Sequence, residues 1–403
     1  MKILFLAHRF PYPPNRGDKI RAFNVIRHMT EARGDQVTVA SMVRTREEGT
    51  AAEGIREHCE DIILERVHQP MAVLRMLKRL PTKEPSSMGF FYSPRLGERI
   101  EARVRSTRFD LIFVFCSSVA QYVRHVDNVP KILDFADMDS QKWLAYGQES
   151  RFPLAAGYFL EGLKLQLEEA ALARDFDCAT VTTPAELRTL EGLNAGTYTD
   201  WFPNGVDTEY FSPPPEGPDA DSICFVGRMD YFPNQQAMQW FADAVLPLIQ
   251  QDRPNATLTI VGAEPSRAVR QLGTRRGIVV TGSVPDVRPY LGRATVSIAP
   301  LSIARGTQNK ILEAMAMGVP TVASRISAGG VDATVGEHIL AATKPEEYAD
   351  EILGVLQDPE RRRALSVAAR ARMCSHHSWP AAMGRLDAII DRCVGNRSVA
   401  SGA

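Results

Sequence analysis

The chain of 403 residues is short of the features that assign a protein quickly. Its six cysteines (Cys59, Cys116, Cys178, Cys224, Cys374 and Cys393) form no close CxxC pair, which argues against a disulfide framework and against a zinc site. Reduced thiols, and with them a cytoplasmic location, are the simplest expectation. No apolar run approaches the ~18–20 residues needed to cross a bilayer. The opening Met1-Lys2-Ile3-Leu4-Phe5-Leu6-Ala7 is too short for a secretion leader and has no small-residue cleavage site, so it reads as a first β-strand. Lys and Arg number 47 against 48 Asp and Glu, a net charge of −1, so nothing marks nucleic acid as a partner. The loop after the first strand, Arg9 to Lys19, has a single glycine, Gly17, in place of a GxGxxG turn, which disfavours a nicotinamide dinucleotide.

What the chain does have is strands alternating with helices, the pattern of an α/β fold with doubly wound parallel sheets. Single cores rarely grow beyond roughly 250–300 residues, so the length implies two domains. The Pro-rich stretch Ser212-Pro213-Pro214-Pro215-Glu216-Gly217-Pro218 has a linker's composition. We expect domains over 1–209 and 210–379, with 380–403 forming a C-terminal helix and tail that pack back on the first. Strands are expected at 37–40, 61–64, 110–115, 130–135, 178–183, 223–226, 257–262, 278–282, 296–300 and 320–324. Helices are expected over about 19–33, 154–175, 345–357 and 359–374.

Three local features bear on function. Between Arg66 and Arg108 ten Lys or Arg stand against three Glu and no Asp. Within that stretch Val73, Leu74, Leu77 and Leu80 share one helical face and Arg75, Lys78 and Arg79 another, so peripheral contact with an anionic membrane is one reading and a solvated charge run the other. Asp137-x-Asp139 is a two-residue match to metal-binding patterns, and a structural or acceptor-side role is the better reading. His376-His377 lacks further ligands at metal spacing and reads as structural.

The most informative stretch is Arg305 to Pro320. Buried strands on either side make it a strand, loop, helix, strand unit, with Ile311, Leu312, Met315 and Ala316 on one face, Thr307 as expected N-cap and Gly318 as left-handed C-cap. Helix N-termini favour acids, yet Arg305 and Lys310 bracket this one. An external anion resolves the conflict. Free backbone N–H groups from Gly306 to Asn309 beside two cations suit phosphate, and Glu313 one turn on suits hydroxyls. Together these describe a nucleoside-diphosphate sugar; a surface helix with scattered charges is the alternative. Upstream, the strand ending in Gly227 permits close backbone approach and delivers Arg228, a planar fixed cation. The loop Ser283-Val284-Pro285-Asp286-Val287 is suited to grip a flat base.

The Gly17 loop, Pro203-Asn204-Gly205-Val206-Asp207, Phe225-Val226-Gly227-Arg228 and Lys310 to Gly318, in that order, resemble the GT-B glycosyltransferases of retaining family 4. Asp134 to Trp143 and Phe225 to Asn234 are most similar to the sugar transferases of PEP-CTERM and exosortase exopolysaccharide systems. The resemblance implies two Rossmann-like domains facing across a cleft and metal-independent, retaining transfer from a nucleotide sugar to a glycan or polyprenyl-linked glycan, with no cofactor. It implies that Gly17, Gln308 and Asn309 offer backbone donors to the donor diphosphate, that Arg228 and Lys310 neutralise it, and that Glu313 binds ribose. Gly227, Val284 and Gly306 complete the donor side. Arg9 and Asp139 fall on the acceptor side, brought up by domain closure. Two positions depart from the family pattern: Arg305 stands where the first of two glutamates is usual, and Asn234 where a lysine is usual. The histidine usual after the central strand has no counterpart near Cys116-Ser117-Ser118.

Three other readings stay open on the residues alone. A nucleotide-sugar epimerase shares such a two-domain shell, and product analysis without acceptor separates it. An NAD-dependent oxidoreductase lacks its glycine fingerprint, and nicotinamide absorbance decides it. A non-catalytic scaffold binding nucleotide sugars is excluded by sustained turnover.

Overall fold

The computed structural model describes residues 1–304 and 306–400. The expectations placed on Arg305 and on the last three residues therefore lie outside the described residues. The chain divides into two compact units, Met1–Phe202 with Met383–Ala403, and Pro203–Ala382.

Unit 1 is built on a seven-stranded sheet: β1 (Lys2–Ala7), β2 (Gln36–Val43), β3 (Asp61–Arg66), β4 (Leu111–Phe115), β5 (Lys131–Ala136), β6 (Cys178–Val181) and β7 (Tyr198–Trp201). Their spatial order is β3-β2-β1-β4-β5-β6-β7, and every pairing is parallel. Leu111 to Phe115 are all buried, which explains a continuous apolar run where a strand with one wet face would alternate. β7 was not anticipated from sequence. Its four residues Tyr-Thr-Asp-Trp are each half-buried, as suits the edge of a sheet, and they carry no apolar run to mark them.

Unit 2 holds β8 (Ser222–Val226), β9 (Thr257–Val261), β10 (Ile278–Gly282), β11 (Val296–Ala299), β12 (Thr321–Ser324) and β13 (Leu340–Ala342), ordered β10-β9-β8-β11-β12-β13 and again all parallel. Only the three-residue β13 escaped the sequence reading. Both sheets reverse their strand order beside their first strand, between β1 and β4 and between β8 and β11. In open α/β sheets ligands collect beyond the carboxyl ends of the strands at that reversal.

The last helix, Trp379–Ala400, begins in unit 2 and continues into unit 1. In unit 1 its Asp387 accepts from Arg33 at 2.8 Å, and its Arg385 guanidinium stacks 4.1 Å from the Trp201 ring. Among the described residues no helix is long and apolar enough to cross a membrane.

Candidate functional site

At the carboxyl edge of the unit 2 sheet, β11 leads through a loop into the Asn309–Ala316 helix. Ile311, Leu312, Met315 and Ala316 are fully buried, as their spacing requires. The helix ends through Gly318 at φ +69°, and the N–H of Val319 returns to the Ala314 carbonyl at 2.9 Å. Its start differs from expectation. Gln308, not Thr307, occupies the N-cap position, and no side chain caps the first turn. The Thr307 hydroxyl is buried without a hydrogen-bond partner. Gly306 adopts φ +58° to turn the chain into the helix. A first turn without a side-chain cap, beside an orphaned hydroxyl, suits an external anion.

Lys310 rises from that turn. Its ammonium donates to Asn234 Oδ1 at 2.6 Å and lies 4.5 Å from the centroid of the Phe225 ring. Asn234 in turn donates to the Arg228 carbonyl at 2.7 Å. Gly227 makes room for this arrangement: a Cβ there would meet Asn234 Nδ2 at 2.9 Å and Lys310 Nζ at 3.1 Å. The cation missing from position 234 thus reaches that position from another element. Burial pushes the Lys310 ammonium down to about 7, with Glu313 opposing the shift. Burial likewise pushes the Glu313 carboxyl up to about 7, with Lys310 opposing it. Two groups with pKa values moved toward neutrality therefore stand one helical turn apart, and a nearby anion would draw Lys310 to its charged form.

Arg228 follows β8, but its fork is folded back. It donates to Asp230 from Nε at 3.1 Å and from NH2 at 2.9 Å, and to Glu264 at 2.8 Å. Those bonds to Asp230, ahead of burial, which opposes them, hold its guanidinium above the usual range. Its charge is internally answered, and an anion must compete with two carboxylates for it. Neither acid was singled out in the sequence, where nothing in Asp230 or Glu264 signals such a partner. Val284 is half-buried against the cluster of Cys224, Val226 and Leu291. Asn309 accepts from Asn204 at 3.2 Å, and the Asn204 carbonyl faces His377 Nδ1 at 3.3 Å. His377 is buried, which holds its imidazole pKa below the usual value. A Cβ on Gly205 would collide with the Trp379 ring, so the Asn204-Gly205 turn is fixed by packing.

The remaining residues singled out in the sequence lie in unit 1. Gly17 opens the Gly17–Arg27 helix and is exposed. Arg9 leaves β1 and donates to Asp18 Oδ2 at 3.1 Å. Asp139 is half-buried with one carboxylate oxygen 4.0 Å from Cys116 Sγ. Its neighbour Asp137 accepts from Thr182 at 3.2 Å, and burial with the charges of Glu186 and Asp139 pushes it up to about 7. Glu186 and Glu169 accept from the backbone N–H groups of Met138 and Ser140, both at 2.9 Å, and so cap the Asp139–Glu149 helix. The sequence reading passed over His8, which stands beside Asp18 at 3.4 Å.

Residues 220–358 match the family described as glycosyl transferases group 1. No curated protein matches the chain. Among solved structures it is similar to sucrose-phosphate synthase from Thermosynechococcus elongatus, with a TM-score of 0.72 and 18% identity over 100% of both chains. Anabaena HepE, solved with UDP and glucose, gives 0.68 and 14% identity over 97% of this chain and 100% of that one. A glycosyltransferase from Rickettsia africae gives 0.67 and 13% identity over 98% and 99%. At these identities the likeness shows the fold, which is GT-B.

Proposed function

We propose that the chain is a glycosyltransferase that binds a nucleoside-diphosphate sugar at the carboxyl edge of the unit 2 sheet. The observation that carries this reading is Lys310: a half-buried ammonium, with no carboxylate in hydrogen-bond contact among the described residues, at a helix start that no side chain caps, with Glu313 one turn beyond. The match of residues 220–358 supports it. In the proposed reaction the bond between the anomeric carbon and the diphosphate oxygen breaks and negative charge gathers on the leaving oxygens, while an acceptor hydroxyl oxygen bonds to that carbon and gives its proton to the departing diphosphate. Lys310 and backbone N–H groups at the start of that helix stabilise that charge, and Arg228 joins them as it leaves Asp230 and Glu264. Glu313 accepts from the ribose hydroxyls, and Val284 lies against the base. We take transfer to proceed with retention and without a metal, to a glycan or lipid-linked glycan, in exopolysaccharide synthesis.

A thermal-shift screen over UDP-, GDP-, ADP- and dTDP-sugars tests the donor reading. A ligand at 100 times its Kd adds about 2.7 kcal/mol of stability, so one nucleotide series should raise Tm clearly. No shift from any of the four would refute it. Anomeric configuration of the product, read by NMR, tests retention.

A second observation favours peripheral attachment to the inner face of a membrane. The Leu154–Asp175 helix buries Leu165 and Leu172 in the core, and Glu161 and Lys164 with them, while Leu160, Leu163 and Leu167 are 50%, 54% and 75% exposed, with Phe152 at 86% just before it. Lys164 donates to the Arg79 and Leu80 carbonyls at 3.2 and 2.8 Å, which seats the end of the Gln69–Arg79 helix beside this row. That helix exposes Met71, Val73, Leu74 and Leu77. Lys78, Lys83 and Arg151 are exposed around the ridge and have no ion-pair partner among the described residues. Apolar side chains flanked by unanswered cations fit an anionic bilayer surface. Co-sedimentation with phosphatidylglycerol vesicles at low salt should be lost in a Leu160→Ser, Leu163→Ser, Leu167→Ser variant. A parent protein that ignores vesicles and sediments as a dimer would assign the ridge to a second copy instead.

A further inference from the structure

The carboxyl ends of β1 and β2 carry a second concentration of positive charge. His8 and Arg9 leave β1, Arg16 and Lys19 flank the start of the Gly17–Arg27 helix, and Arg44 leaves β2. Parallel pairing with Ala7 opposite Ser41 puts both strand exits on one edge. Only two described carboxylates enter this group. Asp18 is shared by His8 at 3.4 Å and Arg9 at 3.1 Å. Glu48 accepts from Lys19 at 2.9 Å and from the Arg44 backbone N–H at 2.8 Å. The guanidinium of Arg44 meets no carboxylate among the described residues and rests instead over the rings of Phe90 and Phe91, 5.4 and 5.8 Å from their centroids. Arg16 has no ion-pair partner either among the described residues. Inside the group Arg9 Nε is buried without a hydrogen-bond partner.

These charges work against one another. Burial and then the charge of Arg9 hold the Arg44 guanidinium below its usual range, with Arg16 adding to the effect and Glu48 opposing it. Burial also opposes the His8 imidazolium, but the Cys116 sulfur and Asp18 outweigh it and push His8 up to about 9, so it is charged at neutral pH. Five cations against two carboxylates among the described residues, with the buried Arg9 Nε left over, is the balance of an anion site standing open. A further group of acids, Asp137, Glu169 and Glu186, clusters near the end of β5, and Asp139 beside it lies 4.0 Å from Cys116 Sγ.

We propose that His8, Arg9, Arg16 and Arg44 form a phosphate-binding site on unit 1, separate from the Lys310 site, that takes the phosphate or diphosphate head of an amphiphilic acceptor. The assignment to an acceptor rests on the transferase reading above; the anion site itself does not. Its connection to the apolar ridge is direct. The Ser86–Phe90 helix has its first N–H groups, from Ser86 and Ser87, held by Glu161 of the ridge helix at 3.0 and 2.7 Å. Its other end supplies Phe90 and then Phe91, the rings under Arg44. Five helical residues span about 7.5 Å, so a lipid lying on the ridge would bring its head group to the cations.

Isothermal titration with inorganic diphosphate tests the site on the full chain. The parent should titrate two sites. Lys310→Ala should keep only the unit 1 site, and Arg44→Ala and Arg16→Ala only the unit 2 site, the lost site weakening by about tenfold or more. A parallel arm uses phosphatidylcholine vesicles doped with dihexadecyl phosphate; tighter binding there than to inorganic diphosphate identifies a lipid head group, and equal binding a free phosphate. Two sites surviving in both arginine variants would overturn the proposal, as would one site abolished alike by Lys310→Ala and by Arg44→Ala. Loss confined to Lys310→Ala condemns this proposal, and loss confined to the arginine variants condemns the donor reading. Unchanged Tm of Arg16→Ala, an exposed position, guards against simple misfolding.

Discussion

The two sheets share one strand order through six strands, and both collect cations at the carboxyl edge, yet they settle the charge differently. In unit 2 each described cation of the site has an internal partner: Lys310 bonds Asn234 and lies over the Phe225 ring, with Glu313 one turn on, and Arg228 is held by Asp230 and Glu264. In unit 1 the described cations of the cluster outnumber the described acids that reach them, and Arg44 falls back on aromatic faces. Topology determines where a ligand can sit. Charge balance determines what kind of ligand each edge awaits: in unit 2 one that recharges a suppressed lysine, in unit 1 one that relieves repulsion already present.

The largest effect that would sharpen this contrast is expected at Lys310. Lys310→Ala removes a charge-stabilising donor of the kind worth about 2.7–4 kcal/mol in a transition state, so turnover of the nucleotide sugar should fall roughly 10²–10³-fold. Near-parental turnover would erase the difference drawn between the two edges. A smaller effect concerns the frame beneath Lys310. Gly318 sits at φ +69° with Ser366 Oγ 2.9 Å from where a Cβ would stand, so Gly318→Ala should cost roughly 1–2 kcal/mol of stability, measured by denaturant unfolding. The smallest effect tests the internal answer to Arg228. Glu264 is 64% exposed, so its pair with Arg228 is screened. Glu264→Ala should tighten nucleoside-diphosphate binding by the ~0.2–1 kcal/mol typical of such pairs. Weaker binding instead would mean that Glu264 helps to hold the ligand.

The same contrast explains what was legible in the sequence. Strands buried on both faces write themselves as apolar runs, so β1, β4, β8 and β11 and the helices between them could be placed from residue type and spacing. The half-buried edge strand β7 and the three-residue β13 could not. Glycines also read well, since Gly227 and Gly318 are needed for a close approach and a left-handed turn. Side-chain partnerships were the hidden part. That Lys310 reaches Asn234, 76 positions away in sequence, depends on two strand ends meeting, which no local pattern records. Nor does any local pattern show that Glu264, 36 positions on, turns back to the planar cation of Arg228. The cation cluster of unit 1 draws on three separate segments, and only the fold brings His8, Arg16 and Arg44 to one edge.

The central claim is that the Lys310 ammonium meets the diphosphate of the donor, and proton uptake on binding tests it most directly. The free lysine has a pKa of about 7 and Glu313 also about 7, so at about pH 8 Lys310 is mostly neutral and Glu313 mostly ionised. A bound anion raises the lysine pKa and leaves the carboxylate ionised, so the net change is a proton gained. Calorimetric titration of the nucleoside diphosphate in buffers of different ionisation enthalpy should show uptake approaching one proton per nucleotide in the parent. It should show none in Lys310→Ala, where affinity is also lower. Binding of equal affinity in both proteins, with no proton taken up, would contradict the account.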